Sequence, residues 1–247
     1  MRIFLAFVAL LLLPSSMLLA QDVADKMNAD ATPPPIVKPS RDFVMLQFNY
    51  NNWIKKPDSV KTKPIGFGFN AYVCYDFPIK KTHLSFAAGL GISTQVVYLN
   101  QLQIIDTNST ANTNASYNGN TMHFEPFTDS QNYKRYKFVT TYIKAPFELR
   151  YFGNNINRNK GFKAAIGLQV GTLLGAHTKA LTSIDGTNVK YKIDTKRYVT
   201  PWDFAATARI GWGNFSLFGS YNLTNVFKDN VGPPITPAAV GLCLTGL

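Results

Sequence analysis

Cysteine, histidine and charge are all scarce in this chain, and each scarcity closes off a class of function. Two cysteines in 247 residues, Cys74 and Cys243, cannot build a disulfide framework, and neither has metal-site spacing. The three histidines, His83, His123 and His177, stand far apart. No G-x-S-x-G elbow or Ser, His and acid order accompanies them, so neither catalysis nor a bound cofactor or metal is expected. Charged residues make up only 16%, and beyond residue 20 no segment reaches 18 consecutive apolar residues. If the chain enters a membrane, it does so with strands. Acidic residues are the rarer sign, 14 against 25 Lys and Arg, and the balance of +11 falls unevenly along the chain.

What is present is aromatic and alternating. Hydrophobic residues reach 46%, with 18 Phe and 12 Tyr. Met1 to Ala20 carries Arg2, an apolar run from Ile3 to Leu13, Pro14, and the small residues Ser15, Ser16 and Ala20. That pattern predicts a secretory signal peptide over 1–20, and no cysteine near its end points to a lipoprotein. Residues 21–41 are polar, then proline-rich, and lack any period, as in a flexible periplasmic arm.

From 42 to 247 a two-residue period recurs in eight segments, near 43–54, 66–77, 83–98, 137–152, 161–175, 200–213, 214–223 and 235–247. The fifth is the clearest. Phe162, Ala164, Ile166, Leu168, Val170, Thr172 and Leu174 alternate with Lys163, Ala165, Gly167, Gln169, Gly171, Leu173 and Gly175. One face is greasy and the other small or polar. A run this long suits a tilted bilayer crossing, which takes about 9 to 11 residues. The connections alternate strictly between short (78–82, 153–160, 213–214) and long, the longest near 99–136. Short turns at one end and long loops at the other are what an outer-membrane barrel shows. The expected fold is therefore all-β: an eight-stranded antiparallel up-and-down transmembrane β-barrel.

The parity assigns inward positions to Asp76, Lys144, Glu148, Arg150, Lys163, Asp203 and Arg209. An eight-stranded barrel is just wide enough for its side chains to fill it. These groups are expected to pair into a structural polar network that blocks passage. The rival reading is a gated pore or proton path through Glu148. Cys74 and Cys243 also face inward, on strands flanking the first, about 9 to 10 Å apart at roughly 4.8 Å per strand spacing and beyond disulfide reach. Pro146 must forfeit a ladder hydrogen bond, which a local bulge is expected to absorb. Tyr50, Trp53, Tyr98, Tyr142, Tyr151, Trp202 and Trp212 sit near strand ends and fit interfacial girdles.

Two long loops are basic. One carries Lys55, Lys56, Lys61 and Lys63, and the other Lys179, Lys190, Lys192, Lys196 and Arg197. Outside a Gram-negative cell their natural partner is the anionic phosphate of outer-membrane lipopolysaccharide. Nucleic acid is excluded for an exported chain with no recognition motif. The longest loop holds an Asn, Ser and Thr tract with sequons at Asn108 and Asn114, read as chance matches.

The segments GFNAYVCYDFPIK, LSFAAGLGI, TTYIKAPFELRYF and FKAAIGLQVGTLLGAHTK resemble the outer-membrane β-barrel family of the Bacteroidota, described as PorT-like. The resemblance spans 42–247 and implies an eight-stranded barrel in the outer membrane. A secretion role does not transfer from likeness of fold alone. The chain departs from barrels that end in an aromatic residue, since its last residue is Leu247. The reading these features support is a structural or interaction protein with no open pore. Its alternatives are an accessory of a secretion or surface-assembly system with an envelope protein as partner, a lipid-A-modifying enzyme using His177 with Thr178, and a soluble lipocalin-like carrier.

Overall fold

The alternation read from the sequence becomes a ladder of eleven strands in the computed structural model. It describes residues 42–106, 121–127, 133–154, 161–184 and 187–246. The expected signal peptide, the 21–41 arm, both sequons and Leu247 lie outside the described residues. The strands are β1 (Asp42–Lys55), β2 (Phe67–Pro78), β3 (Leu84–Tyr98), β4 (Leu102–Asp106), β5 (Met122–Pro126) and β6 (Tyr133–Phe152). They continue with β7 (Phe162–Ile184), β8 (Thr187–Asp194), β9 (Trp202–Trp212), β10 (Phe215–Asn222) and β11 (Thr236–Thr245). Eight of them run β6-β3-β2-β1-β11-β10-β9-β7, and the β6–β7 ladder closes the ring. Every pairing is antiparallel between neighbours in the chain or across its two ends, so the fold is an all-β, eight-stranded up-and-down barrel.

Alternate residues of each strand point to opposite faces, and here the greasy face is outside. Phe48, Phe69, Val73, Leu90, Ile166, Ile210, Leu217 and Leu242 are all exposed, whereas Gln47, Asn49, Asn70, Ser93, Gln169 and Ser216 are buried. This is the sidedness of a wall immersed in lipid. It overturns the lipocalin reading, which needs the large apolar side chains inside.

At one end the connections are tight. Ile79 N–H donates to the Leu84 carbonyl at 3.0 Å, and Gly153 N–H to that of Phe162 at 2.8 Å. Gly213 turns β9 into β10 at φ +61°, a conformation open to glycine because it has no Cβ to clash.

The other end is built up far beyond the ring. The expected long loop near 99–136 contains the β4–β5 hairpin, and β6 begins at Tyr133 rather than near 137. The expected loop after 175 is likewise a hairpin, because β7 continues to Ile184 and pairs with β8. These pieces enclose an apolar cluster of Trp53, Leu99, Leu102, Ile104, Met122, Tyr136, Phe138, Tyr198, Phe227 and Ile235, with others around them. It forms a dome over the barrel mouth.

A bulge marks the passage from barrel to dome. The β6–β7 register moves from Tyr142↔Leu173 to Thr141↔Gly175, leaving Leu174 as an extra residue. Below it the odd-numbered Lys163, Ala165, Gln169 and Leu173 are buried; above it the even-numbered Ala176, Thr178, Ala180 and Thr182 are. The bulge expected at Pro146 is absent. Ala88↔Phe147 and Gly91↔Lys144 share one unbroken register, and the ladder skips the pairs between them. Pro146 lies opposite Gly89 in that register, and its buried ring is accommodated without a shift of the strand.

Candidate functional site

The inward parity brings the seven expected ionisable residues into the interior, where six join two ion-paired groups. Near the tight-turn end, Glu148 Oε2 accepts from Arg150 Nε at 2.8 Å and from Arg209 Nη2 at 2.8 Å, and Arg150 Nη2 lies 2.7 Å from the same oxygen as an ion pair. Arg150 Nη1 also lies 3.7 Å from Asp76 Oδ1, which accepts from Ser85 Oγ at 2.7 Å. Nearer the dome, Lys144 pairs with Asp203, and Asn222 donates to the same carboxylate. Lys163 stands apart, its Nζ 5.8 Å from the centre of the Phe152 ring.

Neutral groups link the network across the strands. Ser93 Oγ donates to Asn70 Oδ1 at 2.7 Å, Asn70 Nδ2 to Gln47 Oε1 at 2.9 Å, and Gln47 Nε2 reaches Cys243 Sγ at 3.9 Å. Arg209 Nη1 meets the same sulfur at 3.6 Å. Both cysteines are buried free thiols. The sequence reading named the charges and left out Ser85, Ser93 and Asn222, whose inward parity was the available signal.

Small residues make room for these charges. A Cβ on Gly171 would stand 2.7 Å from Lys144 Cγ, and one on Gly91 would stand 2.6 Å from the Tyr72 ring and 2.0 Å from the Ala71 carbonyl oxygen. Each glycine is a gap that the long neighbour fills. Where lumen meets dome, Trp53, Phe138, Thr140, Tyr142, Asp203 and Asn222 line a space of only about 10 Å³. That is about the room of one water.

Two expected girdle residues lie elsewhere. Trp53 and Tyr142 are buried because their positions carry inward parity, whereas Tyr50, Tyr151, Trp202 and Trp212 are exposed and ring the wall.

The histidines do not assemble a catalytic set. His83 Nδ1 meets the Phe152 carbonyl at 2.8 Å, and His123 Nε2 meets Glu125 Oε1 at 2.6 Å. Thr178 is 2% exposed and inward, so it points away from its neighbour His177, which sits opposite Val139 and Asp194 on the outward face. Among the described residues no three potential ligands group to hold a metal.

The basic residues divide by strand. Lys55 ends β1, and Lys56, Lys61 and Lys63 follow it, with Lys56 Nζ donating to Thr62 Oγ1 at 2.8 Å. Lys190 and Lys192 lie on β8, while Lys196 and Arg197 occupy a short 3₁₀ turn, Lys196–Tyr198, where Arg197 stacks 4.7 Å over the Tyr198 ring. Lys55 and Lys56 lie beside Tyr221 on the β10 side of the ring, apart from a second patch on β8, but the chain after them crosses to β3, where Lys63 N–H donates to the Tyr98 carbonyl at 2.8 Å, so Lys61 and Lys63 approach that second patch. Arg135 and Lys137, absent from the sequence reading, join the second patch through the β6 extension.

A closed eight-stranded ring with a lipid-facing apolar belt and a filled polar lumen defines a transmembrane β-barrel of the outer-membrane type. The chain belongs to the outer membrane protein beta-barrel domain family, whose model matches residues 41–228. It is similar in structure to the N-terminal beta-barrel domain of Pseudomonas aeruginosa OprF at 8% identity and a TM-score of 0.29, over 85% of this chain and 100% of that one. No curated protein matches it. Membership places the chain in the outer membrane, where long loops face outward and short turns face the periplasm.

Proposed function

We propose that this protein is a non-conducting outer-membrane barrel that anchors a folded external dome and presents it as an interaction surface. The observation that carries the reading is double closure. The lumen is crossed by oppositely charged side chains in contact, and the apolar dome sits over its outer mouth. Among the described residues both layers obstruct the continuous aqueous path that conduction needs. His177 and Thr178, the pair considered for lipid-A modification, face opposite ways, which favours an anchoring role over a catalytic one.

The protein is exported through the leader at 1–20 and delivered to the outer membrane. Its test is gel mobility in SDS, boiled against unboiled, on the outer-membrane fraction, together with conductance in planar bilayers. A faster unboiled band with no single-channel steps is expected. Steps of uniform size from the intact protein would overturn the closed reading.

A second reading follows from β8, the open edge of the sheet, which exposes Tyr191 and Ile193. Apolar side chains on an unpaired edge favour a protein partner. An accessory place in a secretion or surface-assembly system, as in the PorT-like branch of the Bacteroidota barrels, fits that surface. A co-purifying envelope protein lost on Ile193→Lys would support it.

A further inference from the structure

Beyond the bulge at Leu174, the outward face of the β6–β7–β8 sheet carries cations in register. One row runs Tyr98, Lys137, Lys179, Lys192 across β3, β6, β7 and β8. The next row outward holds Arg135 and Lys190 on either side of Leu181. Lys137 lies 6.0 Å over the Tyr98 ring. Among the described residues no carboxylate stands within ion-pair distance of Lys137, Lys179, Lys190 or Lys192. Asp194, the acid on this face, accepts the backbone N–H of Lys196 at 2.8 Å.

Like charges directly opposite on neighbouring strands destabilise a sheet. The crowding registers at Lys137, whose ammonium is pushed below its ordinary value by burial and then by the charges of Lys179 and Arg135. Lysines on an edge strand serve to prevent unwanted pairing, which accounts for Lys190 and Lys192 on β8. It does not account for Lys179, which lies on an interior strand and faces a lysine on each side. A row that costs stability and lacks a countercharge among the described residues calls for one outside it.

The place of the row says what that countercharge is. Leu174 is the last apolar side chain of β7 on the lipid-facing wall, and Lys179 stands five residues further on. At about 3.3 Å per residue, a strand tilt near 40° and one residue spent in the bulge, the row is roughly 10 Å above the end of the apolar belt. Its side chains project sideways from the barrel wall, over the surrounding leaflet, and lysine stems bend toward a charged interface. A lateral, multivalent, cationic surface at headgroup height fits a phosphorylated glycolipid.

We infer that Lys137, Lys179 and Lys192, with Tyr98 beside them, form a docking row for the phosphorylated sugar headgroup of lipopolysaccharide in the outer leaflet. The inference rests on the long-loop end of the barrel facing outward. Lipid phosphate would relieve the repulsion that the folded sheet carries alone, so lipid binding and sheet stability are coupled.

The test uses the full chain folded in detergent and two probes, bisphosphorylated lipid A and the same lipid with its phosphates removed. Wild-type protein should bind lipid A with strong salt dependence and bind the dephosphorylated lipid roughly tenfold or more weakly. The triple variant K137Q/K179Q/K192Q should lose a similar factor for lipid A. It should keep its fast unboiled band and, without lipid, melt no lower than wild type, because repulsion has been removed. Unchanged affinity in a triple variant that keeps that band would overturn the row, as would equal binding of the two lipids. K55Q/K56Q, beside Tyr221 on the β10 side of the ring, should leave affinity unchanged, and an equal loss there would also overturn it by showing diffuse attraction. A wild-type chain with no mobility shift would overturn the barrel reading itself.

Discussion

Asn51 and Trp53 are two residues apart on the inward face of β1, each 3% exposed, yet they belong to interiors of opposite character. Asn51 caps a lumen of amides, hydroxyls and paired charges, and Trp53 lies under a dome of aromatic and aliphatic side chains. The same change occurs on β6 between Lys144 and Phe138. The wall of strands is continuous across it, so the cause lies in the solvent outside. Against lipid, an apolar side chain gains little by turning inward, while a polar one must turn inward and find a partner. Against water the preference is the reverse. Outward residues follow the same boundary: Ile166, Leu168 and Leu174 below it, Lys179 and Lys192 above. The inversion thus reports the outer surface of the membrane from the inside of the protein.

If the two interiors are held by different forces, they break differently. The largest effect is expected at Glu148, whose carboxylate serves two buried guanidinium groups. Glu148→Ala leaves Arg150 and Arg209 without it and should cost about 3 to 5 kcal/mol in urea unfolding from lipid vesicles. Replacing Glu148 by Leu together with Arg209 by Met should recover part of that loss, because fewer charges are then orphaned.

The dome should lose almost as much, but locally. Phe227 packs against Phe138 at 5.6 Å, Phe124 at 5.9 Å and Trp53 at 6.2 Å between ring centres. Phe227→Ala should cost about 3 kcal/mol. It should expose Trp53 to quenchers and open the dome to protease while the unboiled band still runs fast. A single cooperative transition in both variants would mean that dome and barrel are one unit, and the contrast would fail.

The barrel half was legible because lipid enforces a strict rule: every second residue greasy, and loop lengths segregated by end. That rule carried the eight strands and the inward placement of Asp76, Lys144, Glu148, Arg150, Lys163, Asp203 and Arg209. The dome obeys no such rule. Leu102 and Ile104 form a strand too short to register beside the low-complexity tract that follows, and Phe227 and Ile235 are isolated hydrophobes in a connection. On β7 the change of face above Leu174 is hidden for a sharper reason. Apolar or small residues stay on even numbers from Phe162 to Ala180, and the bulge at Leu174 turns that unbroken alternation inside out. Trp53 and Tyr142 were misread by residue type, although their own parity pointed inward.

Next in size is a test of sidedness at one level of the wall. Leu168 is 56% exposed and pairs with Ala206, next to Gly167↔Thr207. Leu168→Arg should cost about 2 to 4 kcal/mol through the charge forced against lipid. Thr207→Ser, one pair away and facing the lumen, should leave the unfolding midpoint unchanged. Equal tolerance of the two would remove the lipid-facing assignment on which the contrast depends.

The smallest effect lies at the boundary, in His177, outward and just above the bulge. Its burial, and then the charges of Lys179 and Lys192, hold its pKa below the ordinary value of 6.5, against an opposing pull from Asp194. A folded-state value below the unfolded one means that the unfolded chain takes up a proton first as pH falls. The stabilising contribution is therefore complete above about pH 6.5 and is lost as acidification proceeds below it. Thermal midpoints measured from pH 8 to pH 5 should fall in wild type more than in His177→Gln, and Lys179→Gln should shrink that difference by removing a charge that opposes protonation. A wild-type protein that gains stability over the same range relative to His177→Gln would show that Asp194, not the lysine row, governs the field at this level.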